Sequence, residues 1–510
     1  MIDPPGEPDE DAGPEAGFAP EDDGGSEPTS DEATNPARRR LRTAVALTLV
    51  AAIVVFGALG GARLGGSREG APAAAHPPRL AAIDANGRFA TMDGLGGSVV
   101  EYSAPGVTFQ FPVWAPDGTH VAAIGTSIKG IGVYVLDATA PAASGGTAAP
   151  AGSPVPVDDS GVIYRGADRA PFYAYWSPDS HQVAFLTSEA TGIALQVAPS
   201  DRSSSATVIR QGAPLYWDWV DAGRLFAHVG GSGADAFIGE MGLDGKADDA
   251  TVIGHGGSVT QDSAAPPAGS DAPGSAQVPG AFRSPAVSRD GRYRAYVETA
   301  ADLGQRLVIE ARDGSGIHTL TAAGITAMAF DPGGRTLAYV AADAAATPFP
   351  IGPLRVVDTT SGSSRVLLGG KVVAFFWSPD GRTIATLAVP DPGKDGVQAG
   401  TTNAVPAVAR FRLNVATEVV SGVGLHLAFI DVATAAVRSE RNVRVSDTFV
   451  SQVLPYFDQY GLSHRFWSAD SVSLALPLVG STGTDQLVVI PADGNGPHEI
   501  PGRVIGFWSP

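Results

Sequence analysis

The chain has 510 residues, with 34 Lys plus Arg against 53 Asp plus Glu, a formal charge of −19 and no Cys. The acidic balance argues against nucleic acid as a partner. The missing Cys excludes disulfides, thiolate chemistry and any lipid anchor on sulfur.

In chain order, residues 1–37 carry Asp or Glu from Asp3 to Glu32, many Pro and Gly, and no Lys or Arg. Such a stretch buries too little apolar surface to offset ordering its backbone, so it is predicted to be a disordered acidic cytoplasmic tail. Arg38-Arg39-Arg40-Leu41-Arg42 then abuts Thr43 to Ala62, which holds no charge. At ~1.5 Å per residue that run spans roughly 30 Å, the thickness of bilayer hydrocarbon. Residues 38–64 are therefore predicted to be a basic flank and one transmembrane helix. Four Arg on one side outweigh Arg63 and Arg68 on the other, which leaves the N-terminus in the cytoplasm and the rest of the chain outside the membrane. A cleaved signal peptide ending near Ala73-Ala74-Ala75 is the rival reading; the long leading segment and long apolar run favour an uncleaved anchor. Residues 65–77 read as a linker.

From residue 78 onward the chain reads as strands. Arg79–Asp84, Arg88–Met92 and Ser98–Tyr102 come first, followed by a recurring hairpin: an aromatic, a Ser-Pro-Asp-Gly turn and an apolar strand. It stands at Trp114, Trp176 and Trp377 and in weaker form at Trp217, Val287, Phe330 and Trp467, and the chain stops inside a last copy at Trp508. The short spacings lie near the roughly 40–45 residues of a four-stranded propeller blade. Third strands end at Asp137, Asp358 and Asp431, and fourth strands follow as at Thr207–Ile209 and His318–Leu320. The last copy lacks partner strands and the first three strands lack an opening one, so joining the two closes the ring. The fold expected over residues 78–510 is all-β, a single propeller of eight blades, or seven if the Trp217 or Val287 copy is not a blade.

These Trp-Ser-Pro-Asp-Gly hairpins resemble the TolB-like, WD-type propeller repeat, and the resemblance runs from about Pro78 to Pro510. It implies the fold and a scaffold role, and it does not carry TolB's own partners, because the chain has more repeats and a membrane segment. Similar propellers precede the hydrolase domain of prolyl oligopeptidases, and this chain stops where that domain would begin.

Long insertions interrupt the repeat. Pro141 to Asp159 and Gly256 to Gly280 read as surface loops, and Pro390 to Gly422 as a loop with a possible edge strand at Val408–Val415. Ser446 to Arg465 is the distinctive one. Ser446 suits an N-cap, Phe449, Val450, Val453 and Leu454 have helical spacing, Pro455 is expected to bend or end the helix, and Gly461 to stop it. Asp458, Gln459, Tyr460, His464 and Arg465 are thereby brought to the propeller mouth as candidate ligand-binding residues. The competing reading has Asp458 or His464 merely bonding the insertion to a neighbouring blade.

The repeated Asp117, Asp179, Asp290, Asp380 and Asp470 are read as turn-formers, and Trp114, Trp176, Trp377, Trp467 and Trp508 as packing between blades. No catalytic serine motif stands in a strand-to-helix turn, and the His spacing suits no metal. No catalytic residue, metal or cofactor is assigned. The expected function is a membrane-anchored, extracytoplasmic, non-enzymatic scaffold for a protein, peptide or small ligand. A propeller hydrolase or lyase acting on a glycan or ester at the channel is the alternative, and a transmembrane sensor the second.

Overall fold

In the computed structural model, the structure describes residues 77–103, 105–139, 155–156, 161–166, 169–189, 192–230, 237–248, 254–255, 285–299, 305–321, 324–341, 351–390 and 422–510. The predicted tail and membrane helix, the Gly256–Gly280 loop and the Val408–Val415 strand lie outside these residues. Among the described residues, no helix is long and apolar enough to cross a membrane.

The strands form antiparallel sheets of four, each running in chain order. One comprises Thr108–Trp114, His120–Ser127, Gly130–Asp137 and Val162–Gly166; the next Pro171–Trp176, Gln182–Glu189, Gly192–Pro199 and Thr207–Gly212. Then come Leu215–Asp221, Arg224–Val229, Phe237–Gly242 and Gly254–His255, followed by Ala286–Val287, Tyr293–Thr299, Gln305–Ala311 and Ile317–Thr321. A ten-stranded sheet covers the stretch from Ile325–Phe330 to His498–Ile500. Its register divides it. In the long strand Ser364–Trp377, residues up to Leu368 pair with Leu354–Val357, while Val372 and residues 374–377 pair with Ile384–Ala388. Farther on, a single pair, Val445 with Leu478, joins Val437–Val445 to Ser473–Val479.

The first and last described strands meet as the strand count requires. Arg503–Trp508 pairs with Arg79–Asp84 in the register Leu80 to Trp508, and Phe89–Asp93 and Val100–Ser103 complete that sheet. A fifth, two-residue strand departs from expectation: Val155–Pro156, inside the predicted Pro141–Asp159 loop, pairs in parallel with Tyr102–Ser103.

The repeated turn explains the repeated residues. Ser177 Oγ donates to Asp179 (2.6 Å) and accepts the Gln182 amide (3.0 Å), and equivalent bonds join Ser288, Asp290 and Tyr293, Ser378, Asp380 and Thr383, and Ser468, Asp470 and Ser473. Gly118 and Gly381 supply the positive φ of this turn, but Ser180 and Ser471 adopt it without being glycine, at φ 66° and 62°. Their hydroxyls latch neighbouring sheets: Ser180 Oγ accepts the Asp117 amide and Ser471 Oγ the Asp380 amide, each at 3.0 Å.

The tryptophans tie sheet to sheet in the same way. The indole N–H of Trp176 donates to the Val113 carbonyl (3.0 Å), Trp377 to Ala329 (3.3 Å), Trp467 to Phe376 (3.0 Å) and Trp114 to Phe507 (3.1 Å). Each acceptor immediately precedes the strand-ending aromatic of another copy. In the Leu215–Asp221 copy, the aromatic in register is Trp219, opposite Leu225, rather than Trp217, because the turn that follows is shorter.

Candidate ligand cavity at the turn face

The insertion after Ser446 is helical throughout but not as one regular helix. Ser446 Oγ accepts the Phe449 amide at 3.1 Å, as an N-cap does, and the chain continues as a π turn over Phe449–Val453, a 3-10 turn over Leu454–Tyr456 and the α-helix Phe457–Ser463 (α1). Pro455 falls near the start of the 3-10 turn, where its missing N–H is not needed, so it breaks the regularity without ending the run. Gly461 is buried inside α1 and stops nothing; extended backbone begins at His464. Only Phe466 and Trp467 remain as an inner strand, with Trp467 bridging Leu474 and the Ala475 amide donating to the Phe466 carbonyl. Where the Trp114, Trp176, Trp219, Phe330 and Trp508 copies have six or seven residues of inner strand, this one has α1.

The helical run packs on inner strands through aromatic rings. Tyr460 meets Phe111 (ring centroids 5.2 Å) and Tyr173 (5.8 Å), Phe457 meets Phe376 (6.1 Å), and His464 meets Phe507 (4.5 Å). Edge-to-face and tilted pairs of this kind add about 0.5–1.5 kcal/mol each beyond the area they bury. Polar bonds fix the register: the Tyr173 hydroxyl donates to the Gln459 carbonyl (2.7 Å) and the Trp508 amide to the Arg465 carbonyl (2.8 Å).

Of the five predicted ligand residues, Asp458, Tyr460, His464 and Arg465 are buried and Gln459 is half-buried. Tyr460 and His464 belong to the aromatic hub. His464 Nδ1 lies 2.7 Å from Ser463 Oγ and Nε2 3.5 Å from the Phe111 carbonyl, and burial pushes its pKa down to about 3. A Ser and a His side by side raise the question of nucleophilic catalysis, but an imidazole so hard to protonate is a poor base, and the second nitrogen meets a carbonyl instead of an orienting carboxylate. Burial also raises the pKa of Tyr460 and Tyr173. Among the described residues, no three His, Asp or Glu gather as a metal would require.

Arg465 has a different surrounding. With Leu462 and Ser463 it lines a cavity of about 650 Å³ whose other walls are the repeated turns and the strand ends beside them: Trp114 and Pro116, Tyr175, Trp176, Pro178 and Asp179, Val220 to Ala222, Arg289 and Asp290, and Pro332. The C-terminal end of α1 thus forms one wall and successive copies of the turn form the others. A volume of several hundred Å³ with apolar walls and a few charged groups is the usual character of a small-ligand site. Arg289 and the turn residues were not among the predicted site residues; the signal available was that Arg289 stands where the repeat carries Pro. A second hollow, about 620 Å³ and lined by Arg365, Arg382 and Arg438, is partly committed to structure, because Arg365 donates to the Val432 carbonyl and Arg438 holds Asp431 at a pKa of about 2.

No protein-family model matches the chain, and no curated protein matches it. Similar solved structures include a putative TolB from Agrobacterium tumefaciens, at 19% identity over 60% of this chain and 94% of that one, TM-score 0.33. The tricorn protease is 14% identical over 83% of this chain and 38% of its own, TM-score 0.42. The dihydro-heme d1 dehydrogenase NirN is 12% identical over 86% and 77%, TM-score 0.47. What the strands themselves show is a succession of antiparallel sheets in chain order, with the last strand paired to the first. At these identities, the activities of the similar proteins stay with those proteins.

Proposed function

We propose that the protein is a membrane-anchored, extracytoplasmic binding scaffold: an eight-bladed propeller over residues 78–510, a linker at 65–77, one membrane helix within 38–64, and an acidic cytoplasmic tail at 1–37. Eight blades follow from counting the repeat at each inner strand, with the long strand Ser364–Trp377 serving two blades and Phe466–Trp467 opening one. The anchor rests on the uncharged run Thr43 to Ala62 and its Arg-rich flank.

The observation that carries the binding role is the cavity, where a helix found in one repeat among the described residues meets the turns of several others. Its carboxylates are engaged by their own turns. Asp179 accepts Ser177 Oγ and the His181 amide, Asp221 the Gly223 amide and Arg224, and Asp290 Ser288 Oγ and Arg292. Glycoside hydrolysis needs one carboxyl group to act as acid and another as base or nucleophile, which turn-bound carboxylates are ill placed to do. Native mass spectrometry of the full chain released from membranes is the test. A bound small molecule is expected on the natural protein and at clearly lower occupancy on Leu462→Trp, whose larger ring intrudes into the cavity from the wall that Leu462 forms. Equal occupancy of both, or none on either, would remove the reading.

A further inference from the structure

Each antiparallel sheet has two ends, and the chain enters the first sheet at a particular one. Inner strands end at the repeated turn, so that turn and the one joining third to fourth strand share a face, while the turns joining second to third strand lie on the opposite face. Arg79 stands at the turn face: Leu80 pairs with the strand-ending Trp508, and Arg79 and Ser509 exchange bonds at 2.7 and 3.0 Å. The cavity is close to this entry, because Trp114 in its wall donates to the Phe507 carbonyl.

The linker of residues 65–77 reaches at most about 45 Å when fully extended and about 20 Å when relaxed. To present the opposite face to a membrane it would have to cross two further strands of the first sheet, at ~4.8 Å each, and then the depth of a strand such as His120–Ser127, eight residues at ~3.3 Å each. With side chains added, that path is about 40 Å, twice the relaxed span, and such stretching removes most of the conformational freedom of a flexible chain. The turn face needs no detour. Exposed apolar side chains favour the same face: Leu95 and Val99 stand in one of its turns, Val472 in another, and Ile317 and Val437 begin the strands after two more. The opposite face exposes Ile128. Apolar exposure gathered toward one side suits a membrane or partner there, and the short tether makes the membrane the nearer of the two.

Resting on the membrane anchor argued above, we propose that the turn face lies against the bilayer, with the cavity opening toward lipid. The scaffold then meets its ligand at the membrane surface, and the face that carries Ile128 points away.

Because the chain has no Cys, one introduced Cys carries one dye. Leu95→Cys and Val472→Cys place it on the turn face and Ile128→Cys on the opposite face, all at exposed positions that the fold should tolerate. The full chain is reconstituted into phosphatidylcholine nanodiscs containing a rhodamine-headgroup lipid, and energy transfer is read from each dye. Leu95→Cys and Val472→Cys should place the dye about 25 Å nearer the lipid than Ile128→Cys does, the length of an eight-residue strand. Equal transfer from the three, or the strongest from Ile128→Cys, would overturn the orientation and leave the anchor standing. A chain that elutes apart from the nanodiscs would overturn the anchor and this inference with it.

Discussion

His464 is 2% exposed, wedged between Tyr460 and Phe507, and burial holds its pKa near 3 against an ordinary 6.5. In the fold it stays neutral, whereas in the unfolded chain it takes a proton below about pH 6.5. The stability it contributes is therefore complete above pH 6.5 and is lost as pH falls toward its folded value. Between pH 6.5 and about 4.5 the loss should come to roughly 2 kcal/mol. Asp431, held low first by its hydrogen bond to Arg438, begins to lose its contribution only below its ordinary 3.8, and solvent screens that surface pair, so above about pH 4 the His464 slope stands alone. Denaturant unfolding across this range should show a slope that His464→Gln flattens; a variant with the natural slope would place the pH dependence elsewhere. Sequence reasoning picked out His464 through its company of polar and aromatic residues, but it expected an open mouth. Burial depends on which rings close over a residue, and Phe111 and Phe507 come from distant parts of the chain.

At the level of elements, the turn and the tryptophan were legible for the same reason: both act over a few residues and recur. The Ser-Pro-Asp-Gly motif encodes two hydrogen bonds within six residues, so each copy announces itself. What the repeat did not announce is the replacement of an inner strand by α1, because the helical spacing of Phe449, Val450 and Val453 says nothing about which strand the helix displaces. Gly461 reads as a stop and is not, while Pro455 breaks the regularity of the run, as expected, without ending it, since packing on the surrounding aromatic rings outweighs local preference. The tryptophan straps allow a differential test. Trp467 and Trp508 are similarly buried, at 1% and 3% exposure, but the Trp467 indole donates to the Phe376 carbonyl while that of Trp508 has no acceptor. Trp467→Phe should therefore cost about 1 kcal/mol more than Trp508→Phe, the net worth of one hydrogen bond, since the loss of ring area is common to both. Equal costs in urea unfolding would mean that the indole bond contributes nothing measurable between sheets.

For the described strands as a whole, the decisive contact joins the first to the last. Closure was legible from arithmetic on strands: three at the start without an inner partner and one at the end without outer ones. The structure adds how firmly they hold. Arg503–Trp508 pairs along Arg79–Asp84, Ser509 and Arg79 exchange bonds at 2.7 and 3.0 Å, Arg503 pairs with Glu101, and Trp114 reaches across to the Phe507 carbonyl. Removing residues 503–510 strips the buried Ile505, Phe507 and Trp508, at about 1.5–3 kcal/mol each, and leaves the strand Arg79–Asp84 as an open edge. Open edges invite pairing between chains, so the shortened protein should melt at a lower temperature, without a single sharp transition, and scatter light. A deletion of equal length within Gly256 to Gly280 should leave melting nearly unchanged, because that tract has the composition of a loop. Adding a synthetic peptide of residues 503–510 to the shortened chain distinguishes edge pairing from a general loss of core. If the strand acts as a closing edge, the peptide should bind and restore the transition in proportion to its concentration. A shortened chain that melts like the natural one would show instead that successive sheets hold together without closure.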